Sequence, residues 1–347
     1  MNKNILLLSY DVSPYQGSEA STGWNYIINM MRDNRLTVLF GKREADINKY
    51  LADNEMPCVK FVHVPDTIKP SKISKDISYY FQYKQWHKNA YLKAKEIIDT
   101  ENIDIVHFLN PTGFKDPGYL WKLDRPYIWG PIAAVHNYPL ALYKPLSTVE
   151  KLKAFFYRRL VHNFLFYFDP QVRKAIKRST LIGASTPQTH KSLMSVHHRE
   201  SFFLPENGIT NIERSTPIEF KEGAKLEIVA LGSLCVRKNV ILILEALKLL
   251  RNNYHDKLLL HIVGSGNLME QLKRYAADNQ LNDMITWHGQ VSRNDAQRIL
   301  SNSHLLIITS LSEGTPTTIW EAMSKGVPII TLDHCGMSGF VYAKNAA

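Results

Sequence analysis

Three glycine-containing segments gather cations, hydroxyls and carboxylates at short spacing. Gly232-Ser233-Leu-Cys-Val-Arg237-Lys238-Asn239 follows an apolar run and carries two adjacent cations at the mouth of an expected helix. Such a pair suits a diphosphate, each charge-assisted hydrogen bond contributing about 1.5 to 3 kcal/mol where water is excluded. The plain alternative is a solvated basic pair. Gly264-Ser-Gly266 also follows an apolar run and lets the backbone turn tightly beside a ligand or a neighbouring strand. Met269 stands where a dinucleotide fingerprint needs its third glycine, which speaks against a nicotinamide site. The third segment runs from Ser310 through Glu313, Gly314, Thr315, Pro316, Thr317 and Thr318 to Glu321. With Pro316 in the first turn of a helix, the free amides of Thr317 and Thr318 make a ready anion site. Glu313 precedes that helix and Glu321 lies more than a turn inside it. A carboxylate accepts two hydrogen bonds from vicinal hydroxyls, which is what a sugar presents.

Each of these loops follows a strand-like run, at 226–231, 258–263 and 305–309, with further runs at 284–287 and 327–331. Helical patterns at 239–251, 268–279, 293–302 and 317–325 separate them. Upstream, runs at 4–9, 36–40, 59–64, 103–109 and 127–129 alternate with helical patterns at 19–32 and 73–99. Short apolar strands separated by helices mean parallel sheets covered on both faces. The expectation is an α/β protein of two doubly wound, Rossmann-like domains, 1–208 and 225–347, joined by a polar, turn-rich linker at 209–224. Tandem domains of this kind place a ligand in the cleft between their strand ends.

The bulk properties agree. A length of 347 residues suits two domains, and 45% hydrophobic with 21% charged residues is an ordinary soluble composition. The apolar run at the N-terminus is too short for a signal peptide, and no stretch approaches the roughly 18 apolar residues of a membrane span. Cys58, Cys235 and Cys335 are far apart and read as reduced, small core residues of a cytoplasmic protein. The net charge of +10 is confined to residues 1–205, with 28 Lys and Arg against 18 Asp and Glu, the remainder being balanced at 14 against 14. The first half therefore meets something anionic.

The spacing of Glu313 and Glu321, the Glu-Gly-Thr-Pro loop and the following Glu-Ala-Met-x-x-Gly-x-Pro-Ile-Ile resemble the signature of glycosyltransferase family four, retaining enzymes of the GT-B fold. The Gly232 loop is similar to that family's diphosphate loop, and Gly264-Ser-Gly266 to its G-x-G turn. Pro14-x-x-Gly17-Ser18-Glu-x-x-x-Gly-Trp24 and Pro205-Glu-Asn-Gly208 resemble upstream motifs of its bacterial surface-polysaccharide branch. The resemblance spans about residues 4–340. It implies that Arg237 and Lys238 hold the donor diphosphate, Gly314 to Thr318 complete the phosphate cradle, Glu321 binds the ribose and Glu313 the transferred sugar. Gly17 and Ser18 would approach the donor, and Gly232, Ser233, Gly264 and Gly266 would line its pocket. His136 lies in a stretch, Gly130 to Pro139, that resembles a glycine-rich loop of the same branch, with Ala133 and Ala134 replacing its glycines; a role in proton steering or sugar binding is expected, against that of a surface histidine. His107, within an apolar strand, reads as a satisfied core residue. Ser233 stands where many members have arginine, leaving Arg237 to supply that contact. A D-x-D motif is absent, so the implied enzyme is metal-independent, with no cofactor beyond a nucleotide-sugar donor, UDP-linked in preference to GDP-linked. Family members continue past the 333–338 loop, so the second domain is expected to be incomplete. The alternative reading is an inactive GT-B binding module.

Residues 144–178 carry nine cations against Glu150 and Asp169, interleaved with seven aromatic residues. Cations with aromatics at helical spacing suit an anionic membrane surface, and no nucleic-acid motif accompanies them. The expected partners are a nucleotide sugar, a glycan or lipid-linked acceptor, and the inner face of the cytoplasmic membrane. The plain alternative is an amphipathic helix with buried aromatics and solvated lysines.

Overall fold

The computed structural model describes residues 3–17, 19–67, 75–133, 135, 137, 139–143, 148–208 and 220–338. The chain divides into two compact units, Met1–Val135 with His162–Glu206, and His136–Val161 with Asn207–Ala347. The division after Glu206 falls close to the expected boundary at 208. Residues 136–161, read from chain order as part of the first domain, group with the second. Residues 209–219 of the expected linker lie outside the described residues.

The first unit contains β1 (Asn4–Ser9), α1 (Glu19–Met30), β2 (Arg35–Phe40), α2 (Glu44–Asp53), β3 (Val59–His63), α3 (Lys75–Thr100), β4 (Ile105–Asn110) and β5 (Tyr127–Ile132). The chain then passes through α4 (Thr148–Phe155) and a π-helical turn at Phe156–Val161. It returns to the first unit with α5 (His162–Phe168), α6 (Pro170–Arg178), β6 (Leu181–Ala184), α7 (Pro187–His197) and β7 (Phe202–Phe203). The seven strands pair in the order β3-β2-β1-β4-β5-β6-β7, all parallel. Alternation along β1 explains its unbroken apolar run. Ile5 and Leu7 pack with Trp24 and Ile27 of α1, whereas Leu6 and Leu8 pack with Trp86, Ala90 and Ala94 of α3. A strand buried on both faces can spare no position for a polar side chain.

The second unit follows with β8 (Leu226–Leu231), α8 (Val240–Tyr254), β9 (Leu258–Val263), α9 (Met269–Asp278), β10 (Ile285–Gly289), α10 (Arg293–Ser301), β11 (Leu305–Ile308), α11 (Thr317–Ser324) and β12 (Ile329–Thr331). Its five strands are parallel in the order β10-β9-β8-β11-β12. Again the faces divide. Ala230, Leu260 and Ile262 join Leu244 and Leu247 of α8, while Val229, Val263 and Leu306 join Leu300 of α10 and Ile319 of α11. The strand order reverses between β8 and β11, the switch point at which open α/β sheets leave a crevice beyond their strand ends.

Three free cysteines are present, and the expectation that all are core residues fails at Cys58. It is exposed in the turn before β3, whereas Cys335 is buried. No helix among the described residues is long and apolar enough to cross a membrane.

Candidate functional site at the switch point of the second sheet

The loops leaving β8 and β11 are tied together by their main chains. Leu311 N–H donates to the Arg237 carbonyl at 2.7 Å, and Thr309 Oγ1 to that of Asn239 at 3.0 Å. Arg237 Nη1 donates to the Ser312 carbonyl at 3.0 Å. The cations occupy a single 3₁₀ turn, Val236–Lys238, and Asn239 then takes a left-handed conformation before α8 begins. The expected helix start is thereby moved one residue on.

Glu313 is where this arrangement converges. Its Oε1 lies 2.7 Å from Lys238 Nζ and 2.8 Å from Arg237 Nη1, with the carboxylate only 9% exposed. These contacts act mainly through charge, Lys238 contributing more than Arg237. Burial pushes the carboxyl pKa up, but Lys238 and then Arg237 outweigh it and hold the group below the ordinary glutamate value. Glu313 is therefore an anion holding two cations in place.

A third loop holds the main chain of Glu313. Glu313 N–H donates to Cys335 Sγ at 3.2 Å, and Gly336 N–H to the Glu313 carbonyl at 3.0 Å. A Cβ at Gly336 would overlap the Gly314 carbonyl, so glycine is required there. The Cys335 thiol is pushed up to about 11, chiefly by burial, and stays protonated. His334 Nε2 meets the Leu311 carbonyl at 3.0 Å, its pKa lowered by burial. Asn207, in the Pro205 to Gly208 motif, donates from Nδ2 to the Thr315 carbonyl at 3.2 Å.

Helix α11 begins at Thr317, with Pro316 one step outside it as the N-cap at φ −61° and ψ 120°. Pro316 was expected within the first turn, but its extended ψ places it before the helix. Thr317 and Thr318 keep their first-turn positions, where amides have no intrahelical acceptor. Glu321 lies further along this helix, with Arg293 Nη2 3.7 Å from its Oε1. Arg293 carries no sequence signal, because nothing in the local pattern ties it to a residue in a later helix.

The glycine turn has a packing reason. Gly264 adopts φ +134°, and a Cβ there would strike the Gly232 carbonyl; a Cβ at Gly266 would strike that of Leu234. The loops after β8 and β9 thus touch backbone to backbone. The structure brings together Gly232, Ser233, Arg237, Lys238, Gly264, Gly266, Glu313, Gly314 and Thr315, with Ser233 exposed. Gly17 is exposed in the first unit, and Ser18 and His136 lie outside the described residues. His107 is a core residue as expected, its Nε2 2.8 Å from the Gly130 carbonyl.

The first sheet has its own polar knot at the corresponding switch point, which the sequence reading missed. Asp11 pairs with Arg43 at 2.7 Å, and Asn110 bonds both main-chain groups of Asp11, accepting from its N–H at 3.3 Å and donating to its carbonyl at 3.1 Å.

Comparison with known proteins bears on the family and the fold. Residues 211–345 match the family described as glycosyl transferases group 1. An Escherichia coli UDP-Gal:alpha-D-GlcNAc-diphosphoundecaprenol alpha-1,3-galactosyltransferase is 35% identical over 136 residues, which cover 36% of this chain and 34% of that protein. A lipopolysaccharide 1,6-galactosyltransferase of Escherichia coli K12 is 31% identical over 99 residues, covering 28% and 26%. The matched stretch thus spans about a third or less of these relatives' length. Among solved structures, the apo form of the lipopolysaccharide outer core galactosyltransferase WaaB aligns at TM-score 0.63 and 16% identity, over 99% of this chain and 82% of that one. HepE of Anabaena, solved with UDP and glucose, aligns at 0.61 and 13%, over 98% and 83%. These likenesses establish a GT-B fold.

Proposed function

We propose, on the premise that residues 211–345 belong to the glycosyl transferases group 1 family, that the chain is a retaining glycosyltransferase. It moves a hexose or N-acetylhexosamine from a nucleotide sugar to a glycan or lipid-linked acceptor in bacterial surface-polysaccharide synthesis. The observation that carries this reading is the convergence of Lys238 and Arg237 on buried Glu313, beside the start of α11. Two fixed cations around one carboxylate leave a net positive site, and nearby amides add donors. That is the electrostatics a leaving diphosphate needs.

In this scheme the diphosphate lies against Arg237, Lys238 and the amides of Gly314, Thr315, Thr317 and Thr318. Glu321 takes the ribose hydroxyls and Glu313 the sugar. Gly17 and Ser18 border the donor, and His136 steers a proton or binds the sugar. A leaving-phosphate oxygen accepts the acceptor hydroxyl's proton as the old glycosidic bond breaks and the new one forms on the same face. The cations supply the charge that other transferases draw from a metal, so the reaction is metal-independent. A uridine donor is favoured by two similar proteins, one acting on UDP-Gal and one solved with UDP. Peripheral membrane contact through 144–178 is supported by exposed Leu152, Phe155, Phe156, Leu160, Phe164 and Phe168. Of that segment, residues 144–147 lie outside the described residues.

Incubation with UDP-, GDP- and dTDP-sugars, following hydrolysis and transfer with and without EDTA, tests the reading. Turnover of a UDP-sugar with retained anomeric configuration and indifference to EDTA is expected. Turnover of no donor, together with unchanged nucleotide binding by Glu321→Ala, would sink it. Nucleotide binding without turnover would assign the chain to the binding-module alternative.

A further inference from the structure

A second concave site, within the first unit, is not used by the donor chemistry. It is a cavity of about 640 Å³ between α6 and the end of α7, with Arg173, Lys174, Lys177 and Arg199 in its lining and Ile176 and Val196 in its apolar wall. Helical spacing puts Arg173, Lys174 and Lys177 on one side of α6. Arg199 arrives by a different route. His198 adopts φ 51° after α7, its N–H and that of Arg199 close back on the Met194 and Leu193 carbonyls, and the chain reverses to bring Arg199 against α6.

The two arginines are held by carbonyls rather than by acids. Arg173 Nη1 donates to the Tyr167 carbonyl at 3.1 Å, and Arg199 Nη2 to that of Ser179. Arg199 Nε is buried without a partner. Among the described residues none of the four makes an ion pair. Asp169, the adjacent acid in sequence, is committed to capping α6, its Oδ1 accepting from the amides of Gln171 at 2.8 Å and Val172 at 3.0 Å. Beside the cavity α5 leaves its aromatic face uncovered. Phe164 and Phe168 are both 61% exposed with ring centroids 5.5 Å apart, and Tyr167 is exposed next to them. Phe168 also lines the cavity.

A pocket of uncompensated cations with an apolar lip matches a phosphate group attached to something greasy. A free anion needs the cations but not the lip. A nucleic acid needs both, yet the apolar surface preceding α5 in sequence includes exposed Val149, Leu152 and Leu160, which offer no face for base stacking. We infer that this cavity receives the phosphate-bearing headgroup of an anionic membrane lipid, with Phe164, Tyr167 and Phe168 entering the acyl boundary. The inference deepens the membrane contact proposed above and does not depend on the donor site.

Co-sedimentation of the full chain with vesicles of phosphatidylcholine, alone or mixed equally with phosphatidylglycerol, tests it. Binding to the mixed vesicles only is expected. It should fall about tenfold in Arg173→Glu/Lys177→Glu and in Phe164→Ser/Phe168→Ser, while Lys88→Glu/Lys95→Glu, an equal charge change on α3, leaves it within about twofold. All three pairs of positions are exposed, and a thermal melt confirms that each variant is folded. Equal loss in the α3 variant would overturn the pocket in favour of net charge. Displacement by millimolar inorganic phosphate, with the Phe variant indifferent, would identify a free-anion site. Retention of single-stranded DNA without vesicle binding would make the surface a nucleic-acid site. None of these results depends on whether any sugar nucleotide is turned over.

Discussion

Two groups of cations in this chain are held in opposite ways. In the second unit Arg237 and Lys238 rest on a single carboxylate that is 9% exposed, within loops cross-bonded by their main chains. In the first unit Arg173, Lys174, Lys177 and Arg199 have carbonyls or solvent for company. Cations fixed by a buried anion keep one geometry and need no reorganisation when a reacting group arrives. Cations without an acidic partner, of which Arg173, Lys174 and Lys177 are exposed, attract an anion over a longer range but are screened by salt. The first arrangement suits chemistry; the second suits adhesion.

The largest expected break is at Lys238. Removing it in Lys238→Ala takes away one of two charges set for the leaving phosphate, and donor turnover should fall by about 10²–10³-fold in steady-state kinetics. The first-unit variant Arg173→Glu/Lys177→Glu should leave turnover in detergent solution unchanged.

Glu313→Gln sharpens the contrast by removing the anion while keeping its shape. The cations are then no longer neutralised, so UDP should bind as tightly as before or tighter. Transfer should fall by about tenfold or more, because the group assigned to the sugar is gone. A calorimetric Kd for UDP beside kcat from the transfer assay reads both quantities. Loss of UDP affinity would mean that Glu313 acts only to hold the loops.

The units should also part in acid. His87 is fully buried among Tyr83, Trp86 and Phe108 with neither ring nitrogen partnered, and burial pushes its pKa down to about 3. Burial likewise lowers His107 to about 4, against a raising contribution from its bond to Gly130. Unfolded histidine titrates near 6.5, so below that pH the unfolded chain binds protons that these folded sites refuse. The stability is present above 6.5 and lost as pH falls towards the folded values, by about 2 kcal/mol per histidine at pH 5. Glu313 has the opposite starting point. Its contribution is present above the ordinary glutamate pKa and lost only as pH falls through its depressed folded value. His288 and His334 give the second unit some acid sensitivity too, but both are only half-buried. Hydrogen exchange followed by mass spectrometry between pH 7 and 5 should therefore show the first unit loosening first, and His87→Leu should flatten that dependence.

The smallest effect belongs to Arg293→Ala. At 3.7 Å from Glu321, and 65% exposed itself, Arg293 should contribute less than about 1 kcal/mol. UDP affinity should change by less than about threefold in the same titration.

Much of the framework was legible because its strands are buried on both faces. Ile5–Leu8 is an uninterrupted apolar run, and Leu226–Leu231 and Leu258–Val263 are apolar but for Glu227 and His261; the three strands fold at the expected bounds Asn4–Ser9, Leu226–Leu231 and Leu258–Val263. Leu181–Ala184 is only four residues long and includes glycine, and Phe202–Phe203 is an exposed two-residue edge, so neither has a pattern to read. Helix Glu44–Asp53 buries only Ile47 and is equally faint. At the site, residue types exposed the phosphate-binding and sugar-binding chemistry but not the pairing. The ion pairs of Glu313 with Arg237 and Lys238 arise because β8 and β11 are neighbours in the sheet, a fact of topology. The return of Arg199 onto α6 depends in the same way on a left-handed residue, His198, which is not a usual choice for that conformation.

The central claim is that the paired cations of the second unit hold the donor's diphosphate. Titrating UDP into the intact chain and into Arg237→Ala/Lys238→Ala tests it most directly. The account predicts an affinity loss of about 100-fold or more, with the variant still melting cooperatively. An unchanged Kd in the folded variant would contradict it.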